Sequence, residues 1–233
     1  MSVLKIQPNS NRSPDVRTPE PLQGDHTTWD EFFALVKPRL RARADGFEKI
    51  FEYIKEHLLD DLVIVETGTY REVNNYEGDG CSTLLFDAFI KYHAGLLVSI
   101  DIDPAACELA RKSTERAYVT QSDSVVYLSS FIHPISVLYL DSFNIDDWNH
   151  DHDSAAHHLK ELFVAKELLE DGSLVIVDDN IKSPYDQKLI GKGRLIREVL
   201  HDTLGMKLLV DDYQQAFIWS NSDYQQAFIW SNS

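Results

Sequence analysis

Basic residues are scarce in this sequence, cysteines scarcer, and long apolar runs are missing altogether. Lysine and arginine number 22 against 38 aspartates and glutamates in 233 residues, a formal charge of −16. A surplus of that sign repels phosphate backbones and anionic headgroups, so neither nucleic acid nor a membrane surface is the expected partner. Cys81 and Cys107 are too few for a disulfide framework or a four-thiolate zinc site, and read as reduced thiols. No apolar stretch approaches the roughly 18 residues of a membrane-spanning helix. The opening residues MSVLKIQPNSNRSPDV lack the apolar centre of a signal peptide, so a cytoplasmic protein is expected. What is present, 43% hydrophobic and 11% aromatic side chains, suffices to fill a core and excludes a wholly disordered chain.

Residues 1–26 carry Pro8, Pro14, Pro19 and Pro21 among polar residues, the composition of a flexible arm. Over 27–60, Trp29, Phe32, Phe33, Leu35 and Val36, then Phe47, Ile50, Phe51, Ile54 and Leu58, recur at helical spacing. These N-terminal helices are expected to be a lid or a dimer surface of a possible homo-oligomer. The rhythm then changes. Leu62–Val65, Leu96–Ile100, Ile135–Leu140 and Leu174–Val177 are short continuous apolar runs, with a weaker one near Tyr118–Val119. Such runs suit strands covered on both faces. Between them, helices are predicted over Ser82–His93, Ala105–Arg116 and Ala155–Glu170, the last capped by Ser154 and stopped by Gly172. Alternation of this kind predicts an α/β fold, a doubly wound and mostly parallel sheet, over residues 61–222. The eleven residues 212–222 (DYQQAFIWSNS) repeat without change as 223–233. YQQAFIW reads as a strand, so two identical segments compete for one slot in the sheet, and only one is expected to be needed. The displaced copy would be an exposed edge or would pair with another subunit.

In open α/β sheets ligands bind beyond the carboxyl ends of the strands, and four predicted strands reach an acid there. The first leads into Glu66-Thr67-Gly68-Thr69, followed by Gly78-Asp79-Gly80-Cys81-Ser82-Thr83 at a helix start, where glycine permits close backbone approach and free N–H groups await acceptors. The G-x-G-x-x-G turn of a dinucleotide site is absent. Asp101, followed by Ile102, is placed to accept from ribose hydroxyls. Asp123, after Ser122, is placed to accept from an exocyclic amine.

E-T-G-T, S-I-D-I-D, Q-S-D-S and Y-L-D-S, in that order over roughly residues 45–220, resemble the class I S-adenosylmethionine-dependent methyltransferases. The resemblance implies a Rossmann-like seven-stranded sheet and S-adenosyl-L-methionine as cofactor. Glu66, Gly68 and Thr69 would lie by its methionine part, Asp101 by the ribose, and Ser122 and Asp123 by adenine. Residues 70–77 lengthen the glycine loop beyond the usual spacing, which leaves the parts of Gly80 and Ser82 open.

Asp141 follows strand four and Asp178-Asp179-Asn180 follow strand five. Neighbouring strands lie about 4.8 Å apart, so these oxygens converge on one point, and carboxylate and amide oxygens are the ligands Mg²⁺ prefers. The pattern is similar to metal-dependent O-methyltransferases of the catechol type and to macrolide and aminocoumarin sugar O-methyltransferases. The ligand set is Asp141 with Asp178 and Asp179, or one residue later with Asp179 and Asn180. The alternative is that one acid caps a loop and another only faces the sulfonium end of the cofactor.

The His- and Asp-rich stretch 144–158 invites a zinc reading, but His157 and His158 are helix neighbours pointing roughly 100° apart. The bland reading is a polar loop with helix-start histidines. The functional one makes either a general base or substrate contact beside Asp141. Cys81 reads as a packing residue, and the basic loop 181–194 as a solvated surface or a contact for an anionic substrate. Together these readings point to metal-assisted O-methylation of a small hydroxylated molecule. The alternatives are a nicotinamide-dependent sugar-modifying enzyme and a non-catalytic binding subunit with the same fold.

Overall fold

A computed structural model of the protein describes residues 28–78, 81–145 and 151–230. The expected arm over 1–26, Gly80, and residues 146–150 of the His/Asp-rich stretch lie outside them. Thr28 starts the first helix, α1 (Trp29–Val36), through a capping box: its hydroxyl accepts from the Glu31 N–H, and the Glu31 carboxylate accepts from the Thr28 N–H. Two 3₁₀ turns lead into α2 (Ala44–His57). Strand and helix then alternate through β1 (Val63–Thr67), α3 (Cys81–His93), β2 (Leu96–Asp101), α4 (Pro104–Ser113), β3 (Tyr118–Gln121), α5 (Ser124–Ser130), β4 (Ile135–Leu140), α6 (His152–Ala165) and β5 (Leu169–Val177). A hairpin of β6 (Asn180–Lys182) and β7 (Leu189–Gly191) precedes α7 (Arg194–Arg197). The chain closes with β8 (Leu208–Asp211), β9 (Gln215–Ile218) and α8 (Asn221–Trp230).

Seven strands form one sheet in the order β3-β2-β1-β4-β5-β9-β8, parallel from β3 to β5 and antiparallel at β9 and β8. The order in which the chain adds strands reverses between β1 and β4, which remain parallel, and register there sets the site. Thr67 sits opposite both Ile100 and Leu140, and Leu140 opposite Val177. Gly68, Asp101, Asp141 and Asp178 therefore emerge along one edge.

The continuous apolar runs are buried on both faces. Ile64, Tyr139 and Ile176 pack toward α1, α2 and α3, while Val65, Leu138 and Val175 pack toward α6 and α7. The aromatic residues that suggested a lid or dimer surface point into the first of these layers. The Trp29 ring is 3% exposed and lies 4.6 Å from Phe51 and 4.9 Å from Phe89. Burying such rings against one another contributes about 1 kcal/mol per pair beyond area burial, so the N-terminal helices are part of the core.

Four local expectations change. The helix predicted to reach Glu170 ends at Ala165, and β5 begins at Leu169. Gly172, at φ +91°, does not stop a helix but bends this strand where its pairing with β4 slips from Leu169–Ile135 to Leu174–Val137. Ser154 is no N-cap: α6 starts a turn earlier, and the Ser154 hydroxyl donates to the Phe143 carbonyl at 2.7 Å. The second copy of the terminal repeat, finally, is not a strand. The first copy supplies β9, held between β5 and β8, whereas residues 223–230 of the second lie in α8. Its Tyr224 ring packs 5.3 Å from Trp219, with Lys166 Nζ 5.1 Å from the ring centre.

A chain ending at Ser222 is expected to keep the sheet, losing the Tyr224 contacts and no more than about 5 °C in Tm. Thermal melting followed by circular dichroism checks this, and failure of the shortened chain to fold would show that the second copy is required.

Candidate functional site

A cleft of about 530 Å³ opens at the carboxyl edge of β1 and β2. Of the residues singled out in the sequence, Gly68, Asp101, Ile102, Ser122, Asp123 and His157 line it. Gly68 has φ +83°, and a β-carbon there would lie 2.6 Å from the Asp141 carbonyl oxygen, so only glycine lets β1 turn this close to β4. Asp101 is fixed at both oxygens: one accepts from the Thr69 N–H at 3.1 Å, the other from the Asp103 N–H at 2.8 Å. Asp123 caps α5 by accepting from the Val126 N–H. Arg71, Ser142, Phe143 and Asn144 also line the cleft. Sequence reasoning gave Arg71 and Phe143 no part because they sit in loops with no periodicity, and it met Ser142 and Asn144 only as members of the Y-L-D-S motif and of the stretch 144–158.

Glu66, Thr69 and Ser82 lie behind the cleft wall and are buried. The Glu66 carboxylate accepts from the hydroxyls of Ser82 (2.5 Å) and Thr83 (2.7 Å), and Ser99 Oγ lies 2.6 Å from it. This is a knot tying β1, β2 and the start of α3 together, set behind the cleft lining in which the resemblance would place these residues. Burial pushes the Glu66 carboxyl up to about 7 despite those three hydroxyls. Cys81 is a buried packing residue whose thiol burial pushes up to about 12, which suits no nucleophile.

Further along the edge, Asp141, Asp178 and Asp179 each bring an oxygen to within 4.8 Å of the others. The expected convergence is present, but so are two cations. Arg43 Nε donates to Asp178 Oδ2 at 2.7 Å and its Nη2 to Asp179 Oδ1 at 2.9 Å. Lys192 Nζ lies 2.5 Å from Asp141 Oδ1 and 2.9 Å from Asp179 Oδ2. Tyr139 and Tyr213 donate to Asp178 and Asp179. Burial, aided by Asp178 and Asp179, raises the Asp141 carboxyl to about 7 although Lys192 opposes it. Burial would also raise Asp179, but Lys192, Tyr213 and Arg43 outweigh it and keep that carboxyl low. Asn180 stands apart. Its amide nitrogen donates to the carbonyls of Val177 and Asp178, and its oxygen accepts from the Gly193 N–H at 2.7 Å, so the register with Asp179 and Asn180 as ligands does not form.

The loop expected to be a solvated surface or a substrate contact is the β6–β7 hairpin and its exit, and it turns Lys192 wholly inward. Arg194 pairs with Asp151 at the start of α6. His157 and His158 diverge as their spacing requires. His157 reaches the cleft with Nε2 3.3 Å from Glu161 Oε1 and 3.2 Å from Ser124 Oγ, and Glu161 raises its proton affinity. His158 is fully buried, with Nδ1 on the Ser154 carbonyl, and burial lowers it to about 4; it is not among the residues lining this cleft, so the contact expected of it falls to His157 alone.

No family profile and no curated protein sequence matches the chain. Solved structures do. An apo structure of CalS11, a TDP-rhamnose 3′-O-methyltransferase of calicheamicin biosynthesis, superposes with TM-score 0.55 at 17% identity, covering 88% of this chain and 89% of that one. The MycE methyltransferase of the mycinamycin pathway, in complex with Mg and SAH, gives TM-score 0.53 at 14% identity over 76% of this chain and 49% of that one. MycE with Mg, SAH and mycinamycin VI gives 0.51 at 15% identity. The chain thus spans about half the length of MycE and most of CalS11, and it has the Rossmann-like fold of these methyltransferases.

Two outcomes follow for stability. Gly68→Ala is expected to cost about 2 kcal/mol or more, since it adds left-handed backbone strain to a steric overlap; a lowered urea midpoint reads this, and an unchanged one refutes it. For Glu66, the folded carboxyl keeps its proton to about 7 whereas an unfolded one releases it near its ordinary 4.5. The native state therefore binds the extra proton across that window, and Glu66 makes the protein less stable as pH rises through it. The urea midpoint of wild type minus that of Glu66→Gln should fall between about pH 5 and about pH 8. A flat or rising difference would mean that the carboxylate is ionised in the fold throughout.

Proposed function

We propose that this chain is an S-adenosylmethionine-dependent methyltransferase that methylates a hydroxyl group of a small molecule, a sugar or another natural product. The observation that carries the reading is a single cleft with a side-chain-free approach at Gly68, a rigidly held acid at Asp101 and a second acid at Asp123, bordered by the residue that follows Asp141. An acidic rim favours a cationic sulfonium cofactor over an anionic dinucleotide. The Asp101 oxygens, already held by two backbone N–H groups, keep lone pairs for the ribose hydroxyls. Ser122 and Asp123 face adenine, and the bare backbone at Gly68 admits the methionine portion.

Methyl transfer needs an oxygen nucleophile in line with the sulfonium methyl, and holding that geometry supplies much of the rate. Asp141 is the base of this reading. Burial raises the proton affinity of its carboxyl against the pull of Lys192, the direction a base needs to accept a hydroxyl proton. His157 lines the same cleft and is a contact for the acceptor. The likeness to CalS11, whose name states O-methyl transfer to TDP-rhamnose, and to MycE, a methyltransferase in complex with mycinamycin VI, supports a hydroxylated acceptor.

Titration calorimetry with S-adenosylhomocysteine, followed by transfer of a labelled methyl group from S-adenosylmethionine to a panel of sugars and diols, tests the proposal. The wild-type protein is expected to bind, and Asp101→Ala to bind at least about tenfold more weakly, the value of a lost charge-assisted hydrogen bond. No binding by folded wild-type protein overturns the reading. Binding without transfer to any acceptor would mark a binding subunit instead.

A further inference from the structure

A divalent ion among Asp141, Asp178 and Asp179 is the arrangement the sequence led us to expect, and the carboxylates do converge. The residues around them do not fit one. Magnesium holds its oxygens at about 2.0–2.1 Å, and the space between Asp141 Oδ1 and Asp179 Oδ2 is filled by the Lys192 ammonium at 2.5 and 2.9 Å. Five of the six carboxylate oxygens already accept bonds, from Arg43, Lys192, Tyr139, Tyr213 and the Asp179 N–H. Charge leads to the same answer. Three carboxylates with one guanidinium and one ammonium leave a residual of one negative charge, whereas a further divalent ion would make this largely buried cluster net positive.

The lysine is also delivered there by a built feature of the backbone. It stands in Gly191-Lys192-Gly193. At Gly191 (φ +119°) a β-carbon would lie 2.2 Å from the Asp179 carbonyl oxygen, and at Gly193 one would lie 2.6 Å from Asn180 Oδ1. The Lys192 N–H donates to the Asp179 carbonyl, and the Gly193 N–H to Asn180 Oδ1. Two glycines thus let the hairpin exit lie flat against Asp179 and Asn180, and the side chain between them enters the triad wholly buried. Its ammonium has three protons and three acceptors: Asp141 Oδ1, Asp179 Oδ2 and the Asp141 carbonyl at 3.1 Å.

We propose that the Lys192 ammonium and the Arg43 guanidinium are the resident cations of this carboxylate triad, occupying the place of a divalent ion, so that the protein binds no metal there. Lys192 is in this account a positioning residue: it holds Asp141 and Asp179 in fixed orientation at the cleft edge, as a metal would, without exchange with solvent. The inference rests on the methyltransferase reading only where activity is measured; metal binding tests it alone.

The experiment is Mn²⁺ titration followed by electron paramagnetic resonance on the full chain, for wild type, Lys192→Met and Lys192→Arg. Wild type and Lys192→Arg are expected to leave the free-ion signal unchanged. Lys192→Met, which is one atom shorter, unbranched and uncharged, should bind Mn²⁺ at least about tenfold more tightly than wild type, and its Tm should rise on adding the ion. Should Lys192→Met fail to fold, the wild-type titration decides alone. Wild-type binding of Mn²⁺ that Asp179→Asn abolishes would overturn the proposal, as would a folded Lys192→Met that binds no more tightly than wild type. If a methyl acceptor is found, turnover unchanged by EDTA supports the proposal and loss of turnover restored by Mg²⁺ refutes it. A protein that binds neither cofactor nor metal would remove the methyltransferase reading while leaving this one standing.

Discussion

Five charged side chains meet in one largely buried cluster at the carboxyl edge of the sheet, and much of the molecule is arranged to bring them there. Arg43 arrives from the turn before α2, Asp141 from the end of β4, Asp178 and Asp179 from the end of β5, and Lys192 from the hairpin exit. Asp179 takes a left-handed backbone, φ +55°, to turn there. The N-terminal helices, the parallel sheet and the β6–β7 hairpin are thereby fixed to one another through charge as well as through apolar packing. Such a cluster holds only as a set. Removing one member strands a charge in a low dielectric, which costs about 3–5 kcal/mol, far more than the net value of any single pair.

This arrangement divides the sheet edge into an open half and a closed half. At the open half, β1 and β2 end in Gly68 and Asp101, whose backbone and carboxylate face a cleft wide enough for a nucleoside-sized ligand. The closed half, beyond β4 and β5, is filled with neutralised carboxylates. Asp141 stands where the two meet. The Glu66 knot serves the open half from behind: three hydroxyls hold a carboxylate where β1, β2 and α3 meet, so the turn through Gly68 is set by buried hydrogen bonds. A buried polar network of this kind, fully satisfied, is well suited to keep a ligand-facing backbone in one conformation.

How far the site was legible depended on what kind of signal each residue carried. Asp101, Asp123 and Gly68 come within four residues of the ends of short apolar runs, and a parallel sheet aligns the ends of adjacent strands, so their convergence could be read along the chain. Arg43 and Lys192 could not. Each looks like an ordinary surface cation, and neither a helical stripe nor a strand alternation marks them. Only the Gly-Lys-Gly spacing at 191–193 hinted that one lysine was held by its backbone. The depth of Glu66 was likewise invisible, because a carboxylate at a strand end reads the same whether it faces ligand or three hydroxyls.

By itself the sequence determined the alternation of strand and helix, the burial of the sheet on both faces and the row of acids along one edge, because these depend on local apolar patterning and on where each run stops. Tertiary structure decided which cations those acids would meet, since that depends on residues more than a hundred positions apart, as with Arg43 and Asp178. It also decided the fate of the repeated segment. Gln-Ala-Phe-Ile is a strand at 215–218 and part of a helix at 226–229. Local propensity is the same in both copies. The first finds unpaired backbone on β5 and β8 to bond with; once it has taken that place the second must satisfy its own N–H and C=O groups, and a helix is the conformation that does so within one segment.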